Sequence, residues 1–92
     1  MSADRMQYQI VDGVLARSVG ESLVLLHPET ERLLTLNACG AHIWELLLEG
    51  RQVAQIVVQL TEEFAAPAAL IQQQTLEFLT QLASEQIIRR MG

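Results

Sequence analysis

Lysine is missing from this 92-residue chain, cysteine occurs once, proline twice, and the aromatic residues number four. Each scarcity excludes something. A lone Cys39 forms no internal disulfide. All six basic residues are arginine and stand against eleven acidic ones, for a net charge of -5. A surface of that sign repels a phosphate backbone, because nucleic-acid binding rests on clustered Lys and Arg that displace counterions. No apolar run approaches the roughly 20 residues that span a bilayer, and no charged start followed by an apolar run marks a secretory signal. The expectation is a soluble cytoplasmic domain with neither a nucleic-acid nor a membrane partner.

Catalytic constellations are equally scarce. Cys39 and His42 share a helical face at a spacing of three, where a thiolate and an imidazole can pair. The commoner outcome is a small buried Cys beside a partly exposed His. His27 has no second metal ligand near it in sequence. Glu62 with Glu63, and Glu29 with Glu31, read as solvated charges, and the glycines make no phosphate loop. The chain therefore reads as a non-enzyme without cofactor or metal.

What is present is patterned. Half of the residues are hydrophobic and 18% are charged, which fits one globular domain over residues 1–92, with 1–6 as a disordered terminus. Tyr8, Ile10, Val14 and Leu15 flank Asp12 and Gly13, a turn dipeptide. A short strand over 14–19 and a turn at Gly20 and Glu21 follow. Residues 22–27 are a continuous apolar run that suggests a strand buried from more than one side. His27, Pro28, Glu29 and Thr30 form the next turn, and the chain reverses into a third strand over 32–36, at an edge or in the centre of the sheet.

Asn37, a strong N-cap residue, starts a helix over 38–49 that Gly50 ends. Ile43, Trp44, Leu47 and Leu48 share its buried face, with Trp44 as anchor. Val53, Ile56, Val57, Leu60 and Phe64 define a second helix, poorly capped by Arg51 or Gln52. Pro67 fits the first turn of a third helix, whose buried stripe is Ile71, Thr75, Phe78, Leu79 and Leu82. Ile87 and Ile88 close the core. The fold class is α+β, a winged-helix-like three-stranded antiparallel sheet followed by three helices.

Leu36, Asn37, Gly40, Ile43 and Trp44, preceded by Val24-Leu25-Leu26 and followed by Val53, Ile56, Phe78, Leu79 and Leu82, resemble the PqqD-like proteins over roughly residues 8–88. That family supplies recognition elements for ribosomally made, post-translationally modified peptides. The resemblance implies a non-catalytic peptide chaperone that binds a precursor's leader peptide by strand addition to the third strand. It names Arg32, Leu33, Leu34, Thr35 and Leu36 on that strand, and Leu70, Gln74, Glu77 and Phe78 on the third helix. Two flanks of that helix are open: Leu70, Gln74, Glu77 and Gln81, which is favoured, or Gln72, Leu76 and Thr80. The family often carries an acidic residue where this chain has Gln74.

Similarity to the free-standing leader-binding proteins of lasso-peptide clusters implies a leader protease, or another modifying enzyme, as partner. The alternative within the family is a chaperone of pyrroloquinoline quinone synthesis serving a radical enzyme. Alternatives of other classes are a winged-helix DNA-binding protein, against which stands the absence of Lys and Arg between residues 52 and 86, and a small enzyme using Cys39 and His42. Edge strands also pair with themselves, which leaves a homodimer through 32–36 open when no leader is bound.

Overall fold

The computed structural model describes residues 6–91. Its elements are β1 (Gln7–Ile10), β2 (Leu15–Val19), β3 (Ser22–Leu26), β4 (Leu33–Leu36), α1 (Ala38–Leu48), α2 (Val53–Phe64), α3 (Ala68–Ser84) and β5 (Ile88–Met91). Strands β2, β3 and β4 form the expected antiparallel meander, in that order, and three helices follow it. A second, two-stranded sheet was not foreseen: β1 pairs antiparallel with β5, matching Tyr8 to Arg90 and Ile10 to Ile88. The Asp12–Gly13 turn thus links two sheets, with Gly13 at φ 90. The expectation of a loose terminus falls on residues 1–5, outside the described residues, and on Met6. Met6 packs against the core, and its carbonyl accepts from the Val53 N–H at 2.8 Å.

Alternation along β3 decides which face is covered. Leu23 and Leu25 are buried beneath the helices, whereas Val24 and Leu26 are half-buried on the other face. The strand expected to be buried from more than one side is covered on one. Its open face continues across the sheet through the register Leu15, Leu26, Leu33, of which Leu15 and Leu33 are exposed. The core gathers Leu25, Leu36, Trp44, Ile56, Leu60, Leu79 and Leu82 with Ile87 and Ile88.

Helix boundaries follow local chemistry. Asn37 caps α1, its side-chain oxygen accepting from the Gly40 N–H at 2.8 Å, and Gly50 follows the helix at φ 79. Trp44 is buried as expected, but Leu46 takes the inward place assigned to Leu48, which is exposed. The weak N-cap Gln52 is compensated by Gln55, whose side chain accepts from the Gln52 N–H at 2.9 Å. Phe64, assigned to the buried face of α2, is half exposed at the helix end before Ala65, which ends the helix at φ 48. Pro67 stands at the N-cap of α3 rather than within its first turn, with its carbonyl accepting from the Leu70 and Ile71 N–H groups, both at 3.1 Å. Phe78 is half-buried, not part of the buried stripe.

Candidate functional site

Among the described residues strand β4 has one neighbour, β3, and its other edge is free. The register matches Leu26 to Leu33, Val24 to Thr35 and Leu23 to Leu36. His27 lies opposite Arg32 and donates its N–H to the Arg32 carbonyl at 3.1 Å. Bonded and non-bonded pairs alternate along an antiparallel ladder. Leu34 and Leu36 therefore bond to β3, while Leu33 and Thr35 direct N–H and C=O toward the free edge. A peptide strand laid there finds two donors and two acceptors, worth about 0.5–1.5 kcal/mol net each before ordering costs.

The side chains of β4 split between the two sheet faces. Leu34 and Leu36 point toward the helices, and the half-buried Leu34 shows where helix cover stops. The wall opposite is α3. Gln74, Phe78, Gln81 and Glu85 recur at four, three and four residues and so share one face. Two contacts fix that face against β4. The Arg32 guanidinium lies 3.3 Å from the Glu85 carboxylate at one end. At the other end Gly40 fits between Leu36 and Phe78: a Cβ there would stand 3.1 Å from the Phe78 ring and 3.2 Å from Leu36 Cβ.

Past the Phe78 contact a pocket of about 90 Å³ opens among the helices, lined by Cys39, Gly40 and Ile43 of α1, Leu60 of α2, and Ile71, Gln74, Thr75 and Phe78 of α3; no residue of β4 lines it. Of the expected set, Gln74 and Phe78 line this pocket, while Arg32 and Leu36 meet the same face of α3 through the Glu85 and Gly40 contacts. Leu33 and Thr35 supply the main-chain edge of β4, with side chains on the open sheet face. Leu70 and Glu77 are exposed and line none of this pocket. Of the two flanks left open by the sequence, the one carrying Gln74 and Gln81 lies on the face held against β4; Gln72, Leu76 and Thr80 lie around the helix from it.

Residues that the sequence did not single out for the site are Gly40, Glu85 and His27. A glycine inside a helix without positive φ is itself a signal of close approach; nothing in the sequence marked Glu85. Cys39, expected to be buried, is exposed. His42 does not pair with it: Nε2 of His42 stands 2.9 Å from a Glu63 oxygen, tying α1 to α2. The Gln59 amide, donating to Glu63 at 3.1 Å, and then His42 hold the Glu63 carboxyl below the ordinary carboxylate range. Among the described residues no group of three His, Cys, Asp or Glu is placed to hold a metal ion, and no helix is long and apolar enough to cross a membrane.

The sequence matches the family model described as coenzyme PQQ synthesis protein D (PqqD) over residues 22–88. Among solved structures, the chain is similar to TbiB1 in complex with the TbiA(beta) leader peptide, at 30% identity over 88% of this chain and 94% of that one, with a TM-score of 0.84. It is also similar in fold to a lasso peptide synthetase B1 complexed with the leader peptide, at 19% identity over 90% of this chain and 98% of that one, with a TM-score of 0.83. No curated protein sequence matches it.

Proposed function

This chain belongs to the PqqD family, and from that premise we propose that it is a non-catalytic binding protein that captures the leader segment of a ribosomally made precursor, of the lasso-peptide kind. The leader adds as a strand to the free edge of β4 and sets alternate side chains into the groove against Leu34 and Phe78. The bound precursor is then presented to a processing enzyme such as a leader protease.

One observation carries the reading: among the described residues β4 has a free edge, and near its Leu36 end a mostly apolar, helix-lined pocket stands open. Free edges are hazards that proteins usually cover, and a peptide that adds a strand is one of the recurring ways of using them. Main-chain bonds at Leu33 and Thr35 give sequence-tolerant affinity; the groove gives selectivity. Resemblance to TbiB1, solved with a leader peptide, supports leader capture.

The test is an anisotropy titration with labelled leaders from precursor genes neighbouring this one, with a scrambled leader as control. Saturable binding of one leader, lost on scrambling, is expected. Failure of every leader with the protein folded would overturn the reading. Thr35→Pro removes an outward N–H while sparing every bond to β3, and it should weaken binding by about tenfold or more. Thr35→Val keeps the N–H and should bind as the parent does.

A further inference from the structure

His27 is the buried polar residue that the binding reading leaves without a task, being only 3% exposed. Its imidazole is fully committed. Nδ1 accepts from the Glu29 N–H at 3.1 Å and the Thr30 N–H at 3.2 Å. With that nitrogen accepting, the proton resides on Nε2, which donates to the Gln86 carbonyl at 3.1 Å. The main chain of His27 adds two bonds inside the same turn, to Arg32 and from Glu31. Four of the five bonds thus shape the β3–β4 turn. The fifth leaves it and reaches the loop after α3, where Gln86 is held at φ 61.

That crossing bond joins the two walls of the groove. The turn leads directly into β4, and Gln86 directly follows Glu85, the residue paired with Arg32. We propose that His27 is a positioning residue for peptide capture: through Gln86 it fixes the spacing between the start of β4 and the end of α3, and so the width of the groove at its Arg32–Glu85 end. The inference rests on the strand-addition reading and adds to it which side chain sets the gap. The Arg32–Glu85 pair, with Arg32 exposed and Glu85 half-buried, is a weak spacer alone, since ion pairs open to solvent hold little. A buried imidazole with every nitrogen bonded is a rigid one.

Two substitutions separate the roles. His27→Asn keeps a short-range acceptor for the Glu29 and Thr30 N–H groups, and Asn before Pro favours a turn, but its amide does not extend to Gln86. His27→Gln places an amide N–H near the position of Nε2 and restores the crossing bond.

The experiment measures Kd by anisotropy for the parent leader and for a series of single alanine substitutions along it, in wild type, His27→Asn and His27→Gln, with Trp44 fluorescence and melting curves reporting the fold. In His27→Asn the leader residues that matter at the Arg32–Glu85 end should lose their contribution, with parent-leader affinity falling about five- to tenfold. Those at the Phe78 end should keep theirs. His27→Gln should retain the wild-type profile. A purely structural role lowers the competent fraction and scales every Kd by one factor, so a uniform loss in His27→Asn overturns the proposal, as does an unchanged profile. If His27→Asn fails to fold, Glu85→Gln in the same series decides: it removes the outer spacer while His27 remains, and a full collapse of that end overturns the assignment to His27. No binding to wild type at all would instead refute the reading beneath it.

Discussion

A methyl group added at Gly40 sets two effects of similar size against each other, and the structure decides where the strain goes. Gly40 is the third residue of α1, and alanine there raises helix propensity by about 0.5–1 kcal/mol. Against this, the new Cβ stands 3.1–3.2 Å from the Phe78 ring and 3.2 Å from Leu36 Cβ, a few tenths of an ångström too close. Overpacking of this kind costs about 1–3 kcal/mol, toward the lower end when a neighbour can yield. Leu36 is buried and bonded into the sheet; Phe78 is half-buried and can turn outward. The two terms then nearly cancel in stability, with Tm moving by less than about 5 °C.

Binding does not share in that cancellation. The ring moves toward the pocket beside it, which measures about 90 Å³, roughly one aliphatic side chain. Losing part of one buried aliphatic contact costs about 1.4 kcal/mol, a tenfold weaker Kd. The assay pairs anisotropy against a labelled leader with calorimetric melting of Gly40→Ala. In a Phe78→Ala background the clash with the ring is gone, so Gly40→Ala should add stability there, and the cycle measures the coupling. A folded Gly40→Ala protein that binds leader as tightly as wild type would refute the role given to this end of the groove.

Other expectations are simpler to state. Asn37→Ala removes the cap on the Gly40 N–H and should cost about 1 kcal/mol, lowering Tm by about 4–8 °C by calorimetry; an unchanged Tm would mean that the cap contributes nothing. The Glu63 carboxyl is held below its ordinary range by Gln59 and then His42, so its contribution to stability is present above the unfolded-state value and lost as pH falls through the folded one. Melting curves between about pH 5 and pH 3 should show wild type losing more stability than Glu63→Gln, and parallel curves would remove Glu63 from the account. Gly50→Ala, at φ 79, should destabilise by about 1 kcal/mol in urea unfolding without changing leader affinity.

Much of the fold is legible because local signals agree with the tertiary arrangement. The turn at Gly20 and Glu21, the run of Ser22–Leu26, the Asn37 cap and Gly50 each place a boundary to within a residue or two. The two-stranded sheet was hidden because β1 and β5 lie at opposite ends of the chain, and pairing across such a separation leaves no periodic trace. Exposure of Leu48 and Phe64 was hidden for a related reason: the 3.6-residue pattern says which residues share a face but not where the face ends. On the site side, the edge position of β4 needed the strand order, while the β4 residues named from the resemblance needed only the sequence. Gly40, Glu85 and His27 became meaningful once the Gly40–Phe78, Arg32–Glu85 and His27–Gln86 contacts were visible, since each joins segments 38 to 59 residues apart.

The central claim is that a peptide strand adds to the free edge of β4. Amide hydrogen exchange, resolved by residue with NMR and measured with and without a saturating leader peptide, tests it most directly. The account predicts that the Leu33 or Thr35 amide, or both, exchange quickly in the free protein and become protected when the leader binds. Leu34 and Leu36, already bonded to β3, should change little. Saturable leader binding that leaves Leu33 and Thr35 exchanging as before would contradict strand addition and move the peptide to another surface.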